Sequence, residues 1–282
     1  MTLASDETIF GSDNRYKLFT AVKYLVYVLL FFNIFFFLQE EVLALEHTFA
    51  GEIELGQIIQ SFAATIDTAA WVLLLLLFEL ETSVLDDSRI KGGTRWALHG
   101  VRGICSLAIV YAFTGYCSEL TALYDIAALD IDSACALVGQ EWSVLVDIDE
   151  YLYLDGDNCT TIGSELYRQN GFNIIADAQT LDAVHYLAWV DVMNSGAWIL
   201  VVIVLEIEVR LQLRGNLSDR IMNSTRYLKF VLYGALLFAA AYWGYAGDFI
   251  DFWDASLWLF AFIFIELNVF EWQYETSQED KV

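Results

Sequence analysis

The chain has no proline in 282 residues. Membrane helices tolerate proline, and transporters use it to break them. Its absence predicts helices that run unbroken. Basic residues are also scarce: 14 Lys and Arg face 38 Asp and Glu, for a formal net charge of −24. That balance argues against nucleic acid and anionic lipid on the acidic face, and it concentrates cations there. The four cysteines include no Cys-x-x-Cys pair, so a structural zinc site has no support. Of the three histidines, His47 and His185 fall at outer positions and His99 near the opposite end, so no two can ligate one haem. There is no P-loop, dinucleotide fingerprint, nucleophile elbow or metalloprotease signature. No cofactor and no catalytic residue is expected.

Apolar residues, by contrast, are in excess. They make up 57% of the chain, against roughly 45–50% in a soluble domain. The excess lies in runs of about 20 residues, enough for a helix to cross ~30 Å of hydrocarbon. Six segments fit: Leu18–Leu38, Ile58–Phe78, Ala97–Tyr116, Tyr186–Leu205, Leu228–Ala246 and Phe252–Phe270. The alternation of a barrel strand is missing. The expected class is therefore an all-α polytopic membrane protein with six spans, whose partner is a lipid bilayer. The first run is too long for a signal-peptide core and is followed by Gln39-Glu40-Glu41 rather than a small-residue cleavage site, so it reads as a retained helix.

With six spans, every Lys and Arg except Arg168 falls on, or at the membrane edge of, one side. The positive-inside rule makes that side, and both termini, cytoplasmic in a plasma or bacterial inner membrane. The other side is acidic. Gln39–Gln57 reads as a loop with five Glu and no basic residue. The stretch 117–185 holds 13 carboxylates, Glu119, Asp149 and Glu165 among them, against Arg168 alone. A solvated surface accounts for most of these charges. Leu120, Leu123, Ile126 and Leu129 recur at helical spacing, which predicts a folded, partly helical cap. Cys117, Cys135 and Cys159 fall on this side, where disulfides persist. Cys117 sits at a helix end near the membrane, so Cys135–Cys159 is the expected bridge. Within the same stretch, Asp155-Gly156-Asp157-Asn158 has calcium-type oxygens without EF-hand spacing. Asn158-Cys159-Thr160 is a glycosylation sequon.

Three of the predicted helices align without gaps on a tryptophan. They read Asp67-x3-Trp71-x7-Glu79-Leu80-Glu81, Asn194-x3-Trp198-x7-Glu206-Ile207-Glu208 and Asp254-x3-Trp258-x7-Glu266-Leu267-Asn268. The helix before each begins alike, with Arg15-Tyr16, Arg95-Trp96 and Arg226-Tyr227. The pattern predicts a cytoplasmic tail, 1–14, and three αα-hairpin repeats: 15–86, 95–214 carrying the acidic insertion 117–185, and 226–278. The three tryptophans read as inter-helix packing.

In each repeat the first and last polar residues are 14 positions apart. At 100° and 1.5 Å per residue they share a face, about 40° and roughly 21 Å apart. A charge near the bilayer centre costs ~2.5–3.5 kcal/mol or more and faces the bundle interior or water. The candidate ion-pathway residues are accordingly Asp67, Asp191, Asn194, Asp251, Asp254, Glu81, Glu208 and Asn268. The carboxylates Glu79, Glu206 and Glu266 lie at the cytoplasmic end, where an ion-pair belt with neighbouring basic residues explains them equally well. Two functions fit the pattern. One is a cation-conducting or cation-coupled membrane protein. The other is a non-catalytic scaffold or accessory subunit, docking through the insertion onto a second copy or onto other membrane subunits.

Overall fold

The computed structural model describes residues 13–48, 61–81, 92–213 and 218–279. Among these, six long helices appear: α1 (Asp13–Thr48), α2 (Ala63–Glu79), α3 (Gly93–Leu123), α4 (Ala178–Leu213), α5 (Asp219–Ala246) and α6 (Phe249–Glu279). Five of the six apolar segments each fall on one of them, and Ile58–Phe78 overlaps α2 from Ala63 onward. Four stretches, Lys17–His47, Gly93–Leu123, Ala178–Glu208 and Arg220–Ala246, are long and apolar enough to cross a membrane. The protein is thus mostly helical with four candidate spans.

The all-α expectation fails between α3 and α4. There the chain forms five short strands, β1 (Ile126–Leu129), β2 (Ser143–Leu145), β3 (Tyr151–Tyr153), β4 (Leu166–Gln169) and β5 (Ile174–Asp177). They make one sheet in the order β1-β4-β5-β2-β3, antiparallel throughout except for the parallel β2–β5 pair. The helical spacing of Leu120 to Leu129 breaks at Asp125. Its main-chain carbonyl and side chain are both taken by Asn170, at 2.9 and 2.8 Å. Ile126 onward then pairs with β4, Ile126 opposite Gln169.

One face of the sheet packs over Ala134, Val144, Leu154, Leu166 and Ile175, all buried. The disulfide Cys135–Cys159 joins two short 3-10 turns, Ala134–Leu137 and Asn158–Thr160, at the edge of this core. Cys105 and Cys117 are free thiols. Arg168, the exception to the charge asymmetry, is held as part of this fold. Its guanidinium lies 5.2 Å from the Trp142 ring and its Nε donates to the Phe172 carbonyl at 3.1 Å.

The Gln39–Gln57 loop expectation is also corrected over its first part. Residues Gln39–Thr48 continue α1, which is 36 residues long, or about 54 Å. That exceeds the hydrocarbon thickness by roughly 24 Å. Leu43, Ala44, Leu45 and Glu46 are good helix formers, and the extension is anchored at its end. His47 Nδ1 lies 2.9 Å from Ser143 Oγ, and its ring packs 4.3 Å from that of Tyr153. Residues 49–60 and 82–86 of the first predicted hairpin lie outside the described residues.

The chain divides into two compact units. One takes residues up to Asn33 and from Ala240 onward; the other is Ile34–Ala239. In the first, α1 and α6 pack antiparallel, since Phe19 meets Phe264 edge-on at 5.1 Å and Asn33 meets Asp254. Gly247, with φ +100°, makes the turn between α5 and α6. In the second unit, α3 packs against α2 and α4 around Ala70, Cys105 and Ile109. Gly196 brings α4 against the Phe113 ring, where an added Cβ would sit at 3.5 Å. The sheet then runs directly into α4, because Asp177 ends β5 and its Oδ1 accepts the Thr180 amide at 2.8 Å as the helix cap.

Candidate functional site

Three of the candidate carboxylates at the C-terminal ends of α2 and α4, namely Glu81, Glu206 and Glu208, are engaged in ion pairs. Glu81 Oε2 meets Arg102 at 2.6 Å and Glu208 Oε2 meets Lys229 at 2.9 Å. Both pairs join the foot of one helix to the helix that follows, across 21 residues. Glu206 pairs with Arg210 one turn on, at 2.6 Å. Glu79 is buried. The side chains of Glu266 and Asn268 lie outside the described residues.

At the other end the candidates separate into two environments. Asp254 accepts from Asn33 Nδ2 at 2.7 Å, and Asn33 is fully buried. The asparagine was not among the sequence candidates, since one amide in an apolar run carries no pattern. Asp251 sits on the first turn of α6, where its amide donates to Asp248. In the other unit, α2 and α4 both run antiparallel to α3. Asp67 lies three residues before Ala70, and Asn194 five before Ile199, in the same packing cluster. Both therefore lie within two turns of one packing cluster. Helix α2 begins at Ala63, so Asp67 sits at the start of its second turn. Asn194 Oδ1 and Ser195 Oγ are buried and have no hydrogen-bond partner among the described residues.

Above these residues lies a cluster that the sequence reading had assigned to solvated surface. Glu41 of α1, Glu119 of α3 and Asp149 of the β2–β3 turn line one cavity of about 120 Å³ with Tyr116, Tyr151 and Phe172. Three separate elements supply the carboxylates. Glu41 is 7% exposed yet satisfied: its Oε1 accepts the amides of Ala64 at 2.8 Å and Thr65 at 3.3 Å, and Oε2 accepts the Thr65 hydroxyl. It caps α2 from a different helix and meets the positive end of that helix dipole. Asp149 is exposed at the mouth. Glu119 lies deep, is acted on by Asp149, Asp191 and Glu41, and accepts no hydrogen bond among the described residues. Burial, and then the charges of Glu119 and Asp149, push the Tyr151 phenol well above its usual range, so it stays protonated. Its hydroxyl faces the Ile148 carbonyl at 3.4 Å.

No three His, Cys, Asp or Glu side chains among the described residues converge closely enough to hold a metal ion. In the calcium-like stretch, Asp155 Oδ1 is already taken by the amides of Asp157 and Asn158, both at 2.8 Å. The Asn158 amide donates to the Tyr153 carbonyl at 2.7 Å and accepts from the Asp155 amide at 2.9 Å, so the sequon side chain is tied inward at both ends. His185 Nε2 meets the last carbonyl of α3, Leu123, at 3.0 Å, and its ring stacks on Tyr124 at 4.3 Å.

The chain matches no known protein family, no characterised protein and no solved structure.

Proposed function

We propose that this chain is a six-span membrane protein, built as three αα-hairpins with the sheet inserted extracytoplasmically in the second. In this reading it takes up cations from its acidic side, and its termini are cytoplasmic. The observation that carries the proposal is the convergence of Glu41, Glu119 and Asp149, from three elements, on one cavity where α1, α2 and α3 meet the sheet. Like charges are brought together at a cost, which a proton or a bound cation relieves. Asp67 follows Ala64 of the cavity wall by three residues, and Asn194 follows Asp191 by three, each about 5 Å further along its helix. A cation leaving the cavity thus meets a second polar level. The charge asymmetry of the sequence supplies the field that draws cations to this face.

Flux into proteoliposomes tests this. Purified protein should carry a cation current above that of empty liposomes, and Glu119→Gln and Asp67→Asn should each reduce it several-fold while the thermal melt stays in place. Wild-type flux equal to that of empty liposomes would sink the transport reading and favour the non-transporting subunit.

A further inference from the structure

We infer that the Glu119 cavity binds a small primary organic ammonium ion, a monoamine of a few carbons with no anionic group. This deepens the reading of the cavity as a cation site and rests on it. Glu119 is the reason to expect a ligand. It is largely enclosed, it lines the cavity, and no donor among the described residues reaches it. Glu41 has its oxygens filled by the start of α2. The vacant acceptors are therefore those of Glu119, with Asp149 and Asp191 adding negative potential. Among the described residues no Lys or Arg lines the cavity.

The chemistry of the walls selects the cation. Calcium takes six to eight oxygens at short range, and no such convergence occurs among the described residues. A primary ammonium needs only one carboxylate for a charge-assisted hydrogen bond, and its carbon chain can rest on aromatic rings. Tyr116, Tyr151 and Phe172 provide those rings. Phosphate, carboxylate and zwitterionic amino acids meet three carboxylates and no compensating cation. Size sets the scale of the enclosed part: 120 Å³ is somewhat less than the ~150 Å³ that accommodates benzene. Ethylammonium and propylammonium fit this volume.

Isothermal titration of the full chain in lipid nanodiscs, with ethylammonium chloride replacing sodium chloride at constant ionic strength, is the test. Saturable one-to-one binding is expected, weakened about tenfold or more by Glu119→Gln and about threefold by Phe172→Leu. Tetramethylammonium, which has no N–H, should bind much more weakly than ethylammonium, and glycine should not bind. The Glu119→Gln protein is checked by its melt; if it fails to fold, the Phe172→Leu loss and the tetramethylammonium comparison decide. Ethylammonium binding that is indifferent to both variants would place the amine elsewhere and overturn the inference. Binding of sodium or calcium, but not ethylammonium, in a Glu119-dependent way would overturn the ligand class and leave the cation site standing. No binding of any cation would remove both.

Discussion

Glu41 reaches from α1 to the first turn of α2 and accepts the Ala64 amide at 2.8 Å. One side chain thus closes the N-terminus of a helix that begins 22 residues later, at Ala63. Phe62, in the cap position of α2, makes no side-chain hydrogen bond, so the borrowed carboxylate substitutes for a local cap. Removing it strands the Ala64 and Thr65 amides. Glu41→Ala should destabilise the protein by about 1–2 kcal/mol, read as a lower melting temperature, while Glu41→Gln should recover part of the loss. An unchanged melt for Glu41→Ala would show that water caps α2 equally well.

The disulfide should matter to the sheet and little to the helices. Cys135 and Cys159 close a loop across 24 residues, which constrains the unfolded chain by about 3 kcal/mol. Replacing both with serine should lower the denaturant midpoint reported by Trp142 fluorescence and leave far-ultraviolet helical ellipticity nearly intact. Thiol counting by mass spectrometry should find two free cysteines, Cys105 and Cys117. Four free thiols under oxidising conditions would contradict the bridge.

Acid should loosen the sheet before neutral pH has any effect. Burial pushes Asp177 upward, but the amides of Thr180 and Gly163, with further hydrogen bonds from the Thr180 hydroxyl and Gln179, outweigh it and hold the carboxyl below its ordinary value. Asp155, exposed, is held low by the amides of Asn158 and Asp157. A carboxyl whose folded value is depressed contributes stability that is present above the unfolded value, ~3.9, and lost as pH falls through the folded one. The contribution of these two carboxyls to the sheet should therefore be constant at neutral pH and fall below about pH 4. Asp177→Asn should weaken it at neutral pH and flatten the acid limb. An acid limb identical to wild type in that variant would move the cause elsewhere.

Gly163 is bound to the same carboxylate. A Cβ there would stand 2.9 Å from Asp177 Oδ2, too close for the 2.8 Å hydrogen bond from its amide to survive. Gly163→Ala should give a loss like that of Asp177→Asn, and the double variant should lose little more, because both act on one contact. Additive losses would show that the two residues act separately.

Sidedness can be read from two exposed serines. Ser164→Cys should react with an impermeant maleimide on intact cells, and Ser218→Cys only after permeabilisation. Reaction of Ser218→Cys in intact cells would overturn the six-span arrangement.

The six helices were legible because each holds a long apolar run, a signal that survives without knowledge of neighbours. Their lengths were not. The end of α1 is polar, with Gln39, Glu40 and Glu41, and reads as a loop until the Ala64 amide and Ser143 are seen to hold it. The sheet was hidden for a different reason. Its strands are three or four residues long, too short to establish a period of two, and Ile126 and Leu129 stand three apart as they would on a helix. Cys135–Cys159 could be reached by elimination, because Cys117 lies on α3. The cavity could not. Glu119 is one acid among many in sequence, and it becomes a deep carboxylate only because the β2–β3 turn comes to lie beside the end of α3.

The cap formed by Asp177 has a mechanical consequence. Strand β5 passes into α4 without a loop, and from Ala178 to Ser195 there is neither glycine nor proline to serve as a joint. Asn194 is sixteen residues, about 24 Å, down that rod. The sheet and α4 therefore tilt as one lever, and whatever draws the sheet toward α1 displaces Asn194 in the same stroke.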